Sequence, residues 1–199
     1  MNEQLKKIIG LTGGISTGKT TVSSYLNTVC QIPVLDADSY AKEAVDKNSP
    51  ILETIKQRYG SKICFQNGEL NRKKLGDIVF NNLKEKQWLE NKIHPYVRQR
   101  FQQEMENCQD KIIVLDIPLL FESKLTYLVT EIWVVSCSYE QQLQRLMARN
   151  NLKEETAMAR ISSQLPLQEK IDQAHVVLDN SSTLNALYEQ IEQALKIKQ

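Results

Sequence analysis

The stretch GLTGGISTGK, residues 10–19, holds four of the seven glycines in the whole chain. An apolar run, KKIIGLT at 6–12, leads into it. Behind it Val22, Tyr25, Leu26 and Val29 recur at helical spacing, which predicts a helix over Thr20–Val29. Strand, glycine-rich turn and helix in that order constrain the chain strongly. The turn reads Gly13-x-x-x-x-Gly18-Lys19-Thr20, the pattern of a phosphate-binding loop. Glycine lets the backbone curl and bring its N–H groups close to phosphate oxygens, and the following helix adds partial positive charge at its N-terminus. The pattern assigns Gly13, Gly14, Ile15, Ser16, Thr17, Gly18 and Thr21 to the wrap around ATP. Lys19 reaches the β- and γ-phosphates, and the Thr20 hydroxyl holds Mg²⁺ directly.

Four more short apolar runs follow, at 32–38, 111–120, 131–138 and 174–180. They are continuous rather than alternating, as in strands buried on both faces, and helical text separates them. The fold class expected is α/β: a P-loop NTPase-type parallel sheet of about five strands with helices on both faces. Residues 71–109 are helical and highly charged, with Leu75, Val79, Leu83, Leu89, Ile93, Val97, Phe101 and Met105 in register. His94-Pro95 predicts a break, one helix ending near Lys92 and another starting at Pro95. A helix is expected at about 139–149, then a helical pair interrupted near Pro166. Ser182 or Thr183 caps a last helix with Leu184, Leu187, Ile191 and Leu195 on one stripe.

Composition removes several classes. A net charge of +1 gives no general basic surface for nucleic acid or anionic lipid. No apolar run approaches the length of a membrane span, and MNEQLKKIIGL lacks the apolar core of a signal peptide. Cys30, Cys64, Cys108 and Cys137 lie far apart, without a C-x-x-C pair, and read as reduced thiols of a cytoplasmic chain.

Among phosphate-loop proteins, a regulatory GTPase needs Asn-Lys-x-Asp; the nearest text, Asn91-Lys92-Ile93-His94, lacks the carboxylate. A motor-type ATPase needs an acidic pair after a strand, whereas Asp116 is followed by Ile117-Pro118. Asp116 can still assist Mg²⁺ through a water. A small-molecule kinase remains, and it needs a carboxylate at the acceptor hydroxyl. Asp36-Ala37-Asp38 closes the second strand, where residues two apart on an extended segment point the same way. Ligands sit beyond the C-terminal ends of such strands, so both carboxylates are substrate-side candidates; the competing reading is that one caps the next helix. Arg145 and Arg149 lie opposite the apolar stripe Leu143, Leu146 and Met147, a position that fits a phosphate-facing pair and a solvated face equally well. At this level a nucleoside kinase and a nucleotide-binding adaptor both stay open.

GLTGGISTGKTT, VLDADSYAKE, LNRKKLGDIVF, LENKIHP, LDIPLLFES, QLQRLMARN and RISSQLPLQEK, in that order over about residues 8–181, resemble the dephospho-CoA kinase family. The resemblance implies phosphorylation by ATP of the ribose 3′-hydroxyl of dephospho-CoA. It implies one domain over 1–199, with a core of about 1–59 and 110–199, a helical CoA-binding insertion of about 60–108 and a lid of about 140–165. It makes Asp38 the base, with Lys19 and Arg145 beside it as catalytic groups, and Arg145 and Arg149 ATP-binding lid residues. It also places Asp36, Arg72 and His94 on the substrate side and gives Glu122 a place at the cleft floor. Small molecules are the only partners it implies. Asn71 and Asn150 stand where the family more often has Asp, and Ile15-Ser16-Thr17 replaces a common Ile-Gly-Ser. None of these changes removes a group the chemistry requires, since the loop acts through its backbone.

Overall fold

The computed structural model describes residues 6–80 and 82–196; the polar lead at 1–5 lies outside them. Strand β1 (Lys7–Gly13) runs into the glycine loop and helix α1 (Lys19–Thr28) leaves it. Strand β2 (Val34–Asp36) is followed by α2 (Ala37–Glu43), α3 (Pro50–Tyr59), α4 (Arg72–Phe80) and α5 (Leu83–Asn107). Then come β3 (Ile112–Asp116), β4 (Glu131–Ser136), α6 (Tyr139–Asn150), α7 (Glu154–Ser162), α8 (Leu167–Ile171), β5 (Val176–Asp179) and α9 (Leu184–Lys196).

The five strands form one sheet in the order β2-β3-β1-β4-β5. β1 pairs in parallel with β3, Ile9 opposite Val114, and with β4, Leu11 opposite Trp133. β5 lies parallel to β4, Leu178 opposite Val135. Ile9, Leu11, Val114, Trp133, Val135 and Leu178 pack with Val22 and Leu26 of α1 and Leu187 and Ile191 of α9. The alternate residues Ile113, Leu115 and Val134 are fully buried as well, and Gly10 abuts Leu120 and Val129. Both faces are therefore covered, which is why these strands read as apolar runs rather than as an alternation.

The chain divides into two compact units, Met1–Leu35 with Gln109–Gln199, and Asp36–Cys108. The second has its own core of Val45, Leu52, Ile55, Ile63, Leu70 and Leu75, with Trp88, Leu89 and Ile93 packed against it. The expected insertion at 60–108 lies within this unit, which also contains α2 and α3.

Two sequence expectations need correction here. The helix break at His94-Pro95 is absent: α5 runs through Pro95 for 25 residues. An internal proline costs a helix about 3 kcal/mol. That cost is met because α5 is packed on both sides of it, by Leu89 and Ile93 before and by buried Val97 and Phe101 after. The break falls instead ahead of Leu83, where the Asn82 side chain accepts from the N–H groups of Lys84 and Glu85 as an N-cap. The second correction concerns Asp36-Ala37-Asp38. The strand ends at Asp36, and Asp38 stands in the first turn of α2. The two carboxylates therefore do not share one extended face.

Within the second unit α3 is tied to α5 by Arg58, whose Nε and Nη2 donate to the two carboxylate oxygens of Glu85 at 2.7 and 2.8 Å. Hydrogen bonds from Arg58 and then Tyr59 hold the Glu85 carboxyl down, from 4.5 to about 2. A carboxyl lowered on folding stabilises the fold above its ordinary pKa, and the benefit is lost as pH falls through the folded value. The wild-type melting temperature should consequently fall more steeply between pH 4.5 and about 2 than that of Glu85→Gln. Parallel slopes in thermal melts across that window would contradict the assignment.

Candidate active site

The loop Gly14–Gly18 leaves β1 and closes onto the head of α1. Gly18 has φ +104, a left-handed conformation, and the side-chain amide of Asn180 lies against the place a Cβ would take. Gly13 has the Val135 carbonyl 2.6 Å from its own missing Cβ. These two glycines are steric requirements. Gly18→Ala is expected to cost about 1–2 kcal/mol from the backbone alone, a drop in melting temperature of about 2–8 °C for a chain of this size. Nucleotide affinity should fall with it, because the Asn180 amide must move. An alanine variant with unchanged melting temperature and affinity would refute this.

Side chains from elsewhere in the first unit brace the loop. Gln142 Nε2 donates to the Ile15 carbonyl at 2.8 Å, and the Ile15 N–H donates to Gln164 Oε1 at 2.9 Å. Asn180 Nδ2 donates to the Thr17 carbonyl at 2.8 Å. Lys170, fully buried, donates from Nζ to the Gly13 carbonyl at 3.3 Å and pairs with Glu122 Oε1 at 2.7 Å. Glu122 also accepts from the Leu165 N–H at 3.1 Å. Thr17 Oγ1 closes the loop on the Gly14 carbonyl at 2.9 Å, while Ser16, at φ +61, has a buried hydroxyl without a partner.

Lys19 begins α1, and its Nζ pairs with Asp116 Oδ1. Asp116 ends β3 and is almost fully buried, so the lysine is held close to the loop by a carboxylate on a neighbouring strand. The Thr20 side chain is exposed at the helix head, and Thr21 donates its N–H to the Gly18 carbonyl at 2.9 Å. Arg145 is not on a solvated face. It is half-buried, Nη2 donates to the Asn180 carbonyl at 2.9 Å, and Nη1 is buried without a partner. Arg149, one turn on, is exposed and donates from Nε to Asn150 Oδ1 at 2.9 Å. Cys137 sits buried next to Arg145, its thiol pushed up chiefly by burial. The backbone after β5 is already engaged inside the protein: the Ser181 carbonyl accepts from Gln141 Nε2 and the Ser181 N–H donates to Asp179.

In the second unit, Asp36 caps α2. Its Oδ1 accepts from the Asp38 N–H at 2.9 Å and its Oδ2 from Ser39 Oγ at 2.7 Å. The Asp38 side chain is exposed, and none of the hydrogen bonds or ion pairs of the described residues engages its carboxylate. α2 is fixed to α5 through Glu43, which accepts from the Tyr96 hydroxyl at 2.6 Å and pairs with Arg100 at 3.1 Å. Arg72 donates to the Lys42 carbonyl at 3.0 Å, pairs with Asp46 at 3.5 Å and lines a cavity of about 470 Å³ with Val45, Lys47, Glu69 and Leu70. His94 is half-buried within continuous α5, so it caps no break.

The sheet order puts the loop and its lysine at the end of the central strand β1. The family model for dephospho-CoA kinase matches residues 7–186. The chain belongs to the dephospho-CoA kinase family. The dephospho-CoA kinase of Trichormus variabilis is 56% identical over 97% of this chain and 98% of its own length, and that of Synechocystis 53% over 94% and 93%. A dephospho-CoA kinase from Campylobacter jejuni of known structure superposes with a TM-score of 0.73 at 29% identity, covering 96% of each chain. A shikimate kinase from Bacteroides thetaiotaomicron, at 13% identity and a TM-score of 0.53, shares the fold alone. Membership makes this chain an ATP-dependent transferase, a kinase that uses ATP and dephospho-CoA. Among the described residues no helix is long and apolar enough to cross a membrane.

Four residues of the dephospho-CoA kinase loop support were missed by sequence reasoning: Gln142, Gln164, Lys170 and the side chain of Asn180. A signal existed for one of them. Gln142 stands one turn before Leu146 on the buried face of α6, a polar residue in an apolar stripe. Lys170 gave none, because α8 has only five residues and no stripe to reveal its inner side.

Proposed function

We propose that the protein transfers the γ-phosphate of ATP to the ribose 3′-hydroxyl of dephospho-CoA, giving CoA and ADP, in the cytoplasm and with Mg²⁺. The observation that carries this reading is the braced loop at the head of α1 with Lys19 beside it, in a chain whose relatives are named for this reaction along nearly their whole length. The 3′-oxygen forms the new bond to the γ-phosphorus, the bond to the β–γ bridging oxygen breaks, and the hydroxyl proton passes to the Asp38 carboxylate.

Lys19 and the loop amides neutralise charge on the β- and γ-phosphates. Arg145 adds its unpartnered Nη1, and Arg149 a second cation. Asp36 holds the turn that presents Asp38. Arg72 and His94 contact the acceptor, residues 60–108 form the CoA-binding part of the second unit, and residues 140–165 act as a lid that excludes water. Thr20 and Asp116 offer a hydroxyl and a carboxylate, hard oxygen donors that suit an Mg²⁺ carried by the nucleotide. When bound, that ion would neutralise charge on the phosphates of the nucleotide. No obligate protein partner is required, nor nucleic acid or a membrane.

Purified protein with ATP, Mg²⁺ and either dephospho-CoA or a panel of nucleosides tests the reading through ADP release. ADP is expected with dephospho-CoA alone. Faster release with any nucleoside would move the acceptor assignment to that compound.

A further inference from the structure

Three carbonyls of the phosphate loop are captured from outside by side chains, and they alternate. Lys170 of α8 takes the carbonyl of Gly13, Gln142 of α6 that of Ile15, and Asn180 after β5 that of Thr17. The intervening Gly14 carbonyl is used within the loop, by the N–H and hydroxyl of Thr17. A trans peptide is planar, with its C=O and N–H pointing to opposite sides. Holding the carbonyls of residues 13, 15 and 17 therefore turns the N–H groups of residues 14, 16 and 18 the other way. None of the hydrogen bonds of the described residues takes up the N–H of Ser16 or Gly18.

Lys170 is the strongest sign that this arrangement is built for more than packing. A fully buried ammonium is costly, and replacing a buried ion pair by apolar groups of like volume is often neutral for stability. A methionine would fill the same space. It would lose the grip on Gly13 and the ion pair with Glu122, a carboxylate that is partly exposed and keeps its bond from the Leu165 N–H.

We propose that Lys170, Gln142 and Asn180 are positioning residues for phosphoryl transfer, which set the loop's amides toward phosphate oxygens before the nucleotide arrives by drawing alternate carbonyls outward. The inference rests on the loop's role in binding ATP. A loop so preset saves the ordering that binding would otherwise require, so removing one anchor should weaken every ligand that enters through its phosphates and no other.

The test uses Lys170→Met and Gln142→Met in the full chain, with inorganic tripolyphosphate, ATP and dephospho-CoA titrated separately by calorimetry. Each variant should bind tripolyphosphate and ATP about tenfold more weakly, the scale of one lost hydrogen bond to a charged ligand. Dephospho-CoA affinity should stay within about twofold, as expected for a site without those amides. Folded variants with unchanged tripolyphosphate affinity would overturn the inference, as would an equal loss for dephospho-CoA. Should Lys170→Met fail to fold, Gln142→Met decides alone, because it removes an amide and no buried charge. A wild-type protein that binds neither ATP nor tripolyphosphate would instead overturn the nucleotide reading beneath it.

Discussion

Lys19→Ala is expected to lower kcat/KM for ATP by about a thousandfold, the scale seen when one preorganised charge-stabilising donor is removed from an active site. The same change should also lower stability, and the reason lies in Asp116. That carboxylate is 5% exposed at the end of β3, and Lys19 is its ion-pair partner. Removing one member of a buried pair costs about 3–5 kcal/mol, because a desolvated charge is left behind. A loss of activity in the single variant is thus ambiguous between chemistry and folding. The double variant Lys19→Met/Asp116→Asn separates the two. It discards both charges and keeps most of the volume, so its melting temperature should return toward the wild-type value. Its turnover should not return, since the cation that Lys19 supplies beside the loop is still missing. Recovery of turnover along with the melting temperature would mean that Lys19 serves the fold rather than the transfer.

The parts of the structure legible in the sequence are those set by local patterns. The phosphate loop was readable because a strand, a spaced glycine pair and a helix must be contiguous. The three central strands were readable because burial on both faces makes each an apolar run; the edge strands β2 and β5 are short apolar runs that are only partly buried, with Val177 exposed. The Thr183 cap of α9 follows from residue type, and its hydroxyl accepts from the Ala186 N–H. Failures came where distant packing overrides a local rule. Pro95 signals a helix end by its own chemistry, yet Leu89, Ile93, Val97 and Phe101 keep α5 continuous. The stripe of α9 likewise overreached: Leu187 and Ile191 are fully buried, but Leu184 is 53% exposed at the helix start.

The site divides in the same way. Lys19 and the glycines are specified by a contiguous motif, so their places could be read directly. Their braces come from 100 or more residues away in sequence, Gln142 and Gln164 onto Ile15 and Lys170 onto Gly13. No spacing rule connects them. For Arg145 the sequence leaves a phosphate-facing position and a solvated face equally open, because periodicity reports only which side of α6 is apolar. The Asn180 carbonyl that holds it lies on another element.

Asp36 and Asp38 carry the second large effect, and the helix cap assigns them different work. Both oxygens of Asp36 already accept hydrogen bonds, from the Asp38 N–H and from Ser39. Asn caps about as well as Asp, so Asp36→Asn should leave the first turn of α2 formed and reduce turnover only modestly. Asp38 spends no carboxylate oxygen on the fold. Its proposed work is to take the proton of the acceptor hydroxyl, and general-base catalysis contributes about 10²–10⁴-fold. Asp38→Asn keeps the shape and removes the base, so kcat should fall by about that factor. The dissociation constant for ATP should stay within about twofold, since the lost interaction forms with the acceptor in the transition state. The melting temperature should not drop either, because no partner is left unpaired. Rapid-quench turnover and calorimetric ATP titration on the two variants decide the matter. If Asp36→Asn is the more damaging, the base is Asp36 and the cap is its second task. If Asp38→Asn weakens ATP binding as much as it slows transfer, the carboxylate belongs to the nucleotide side.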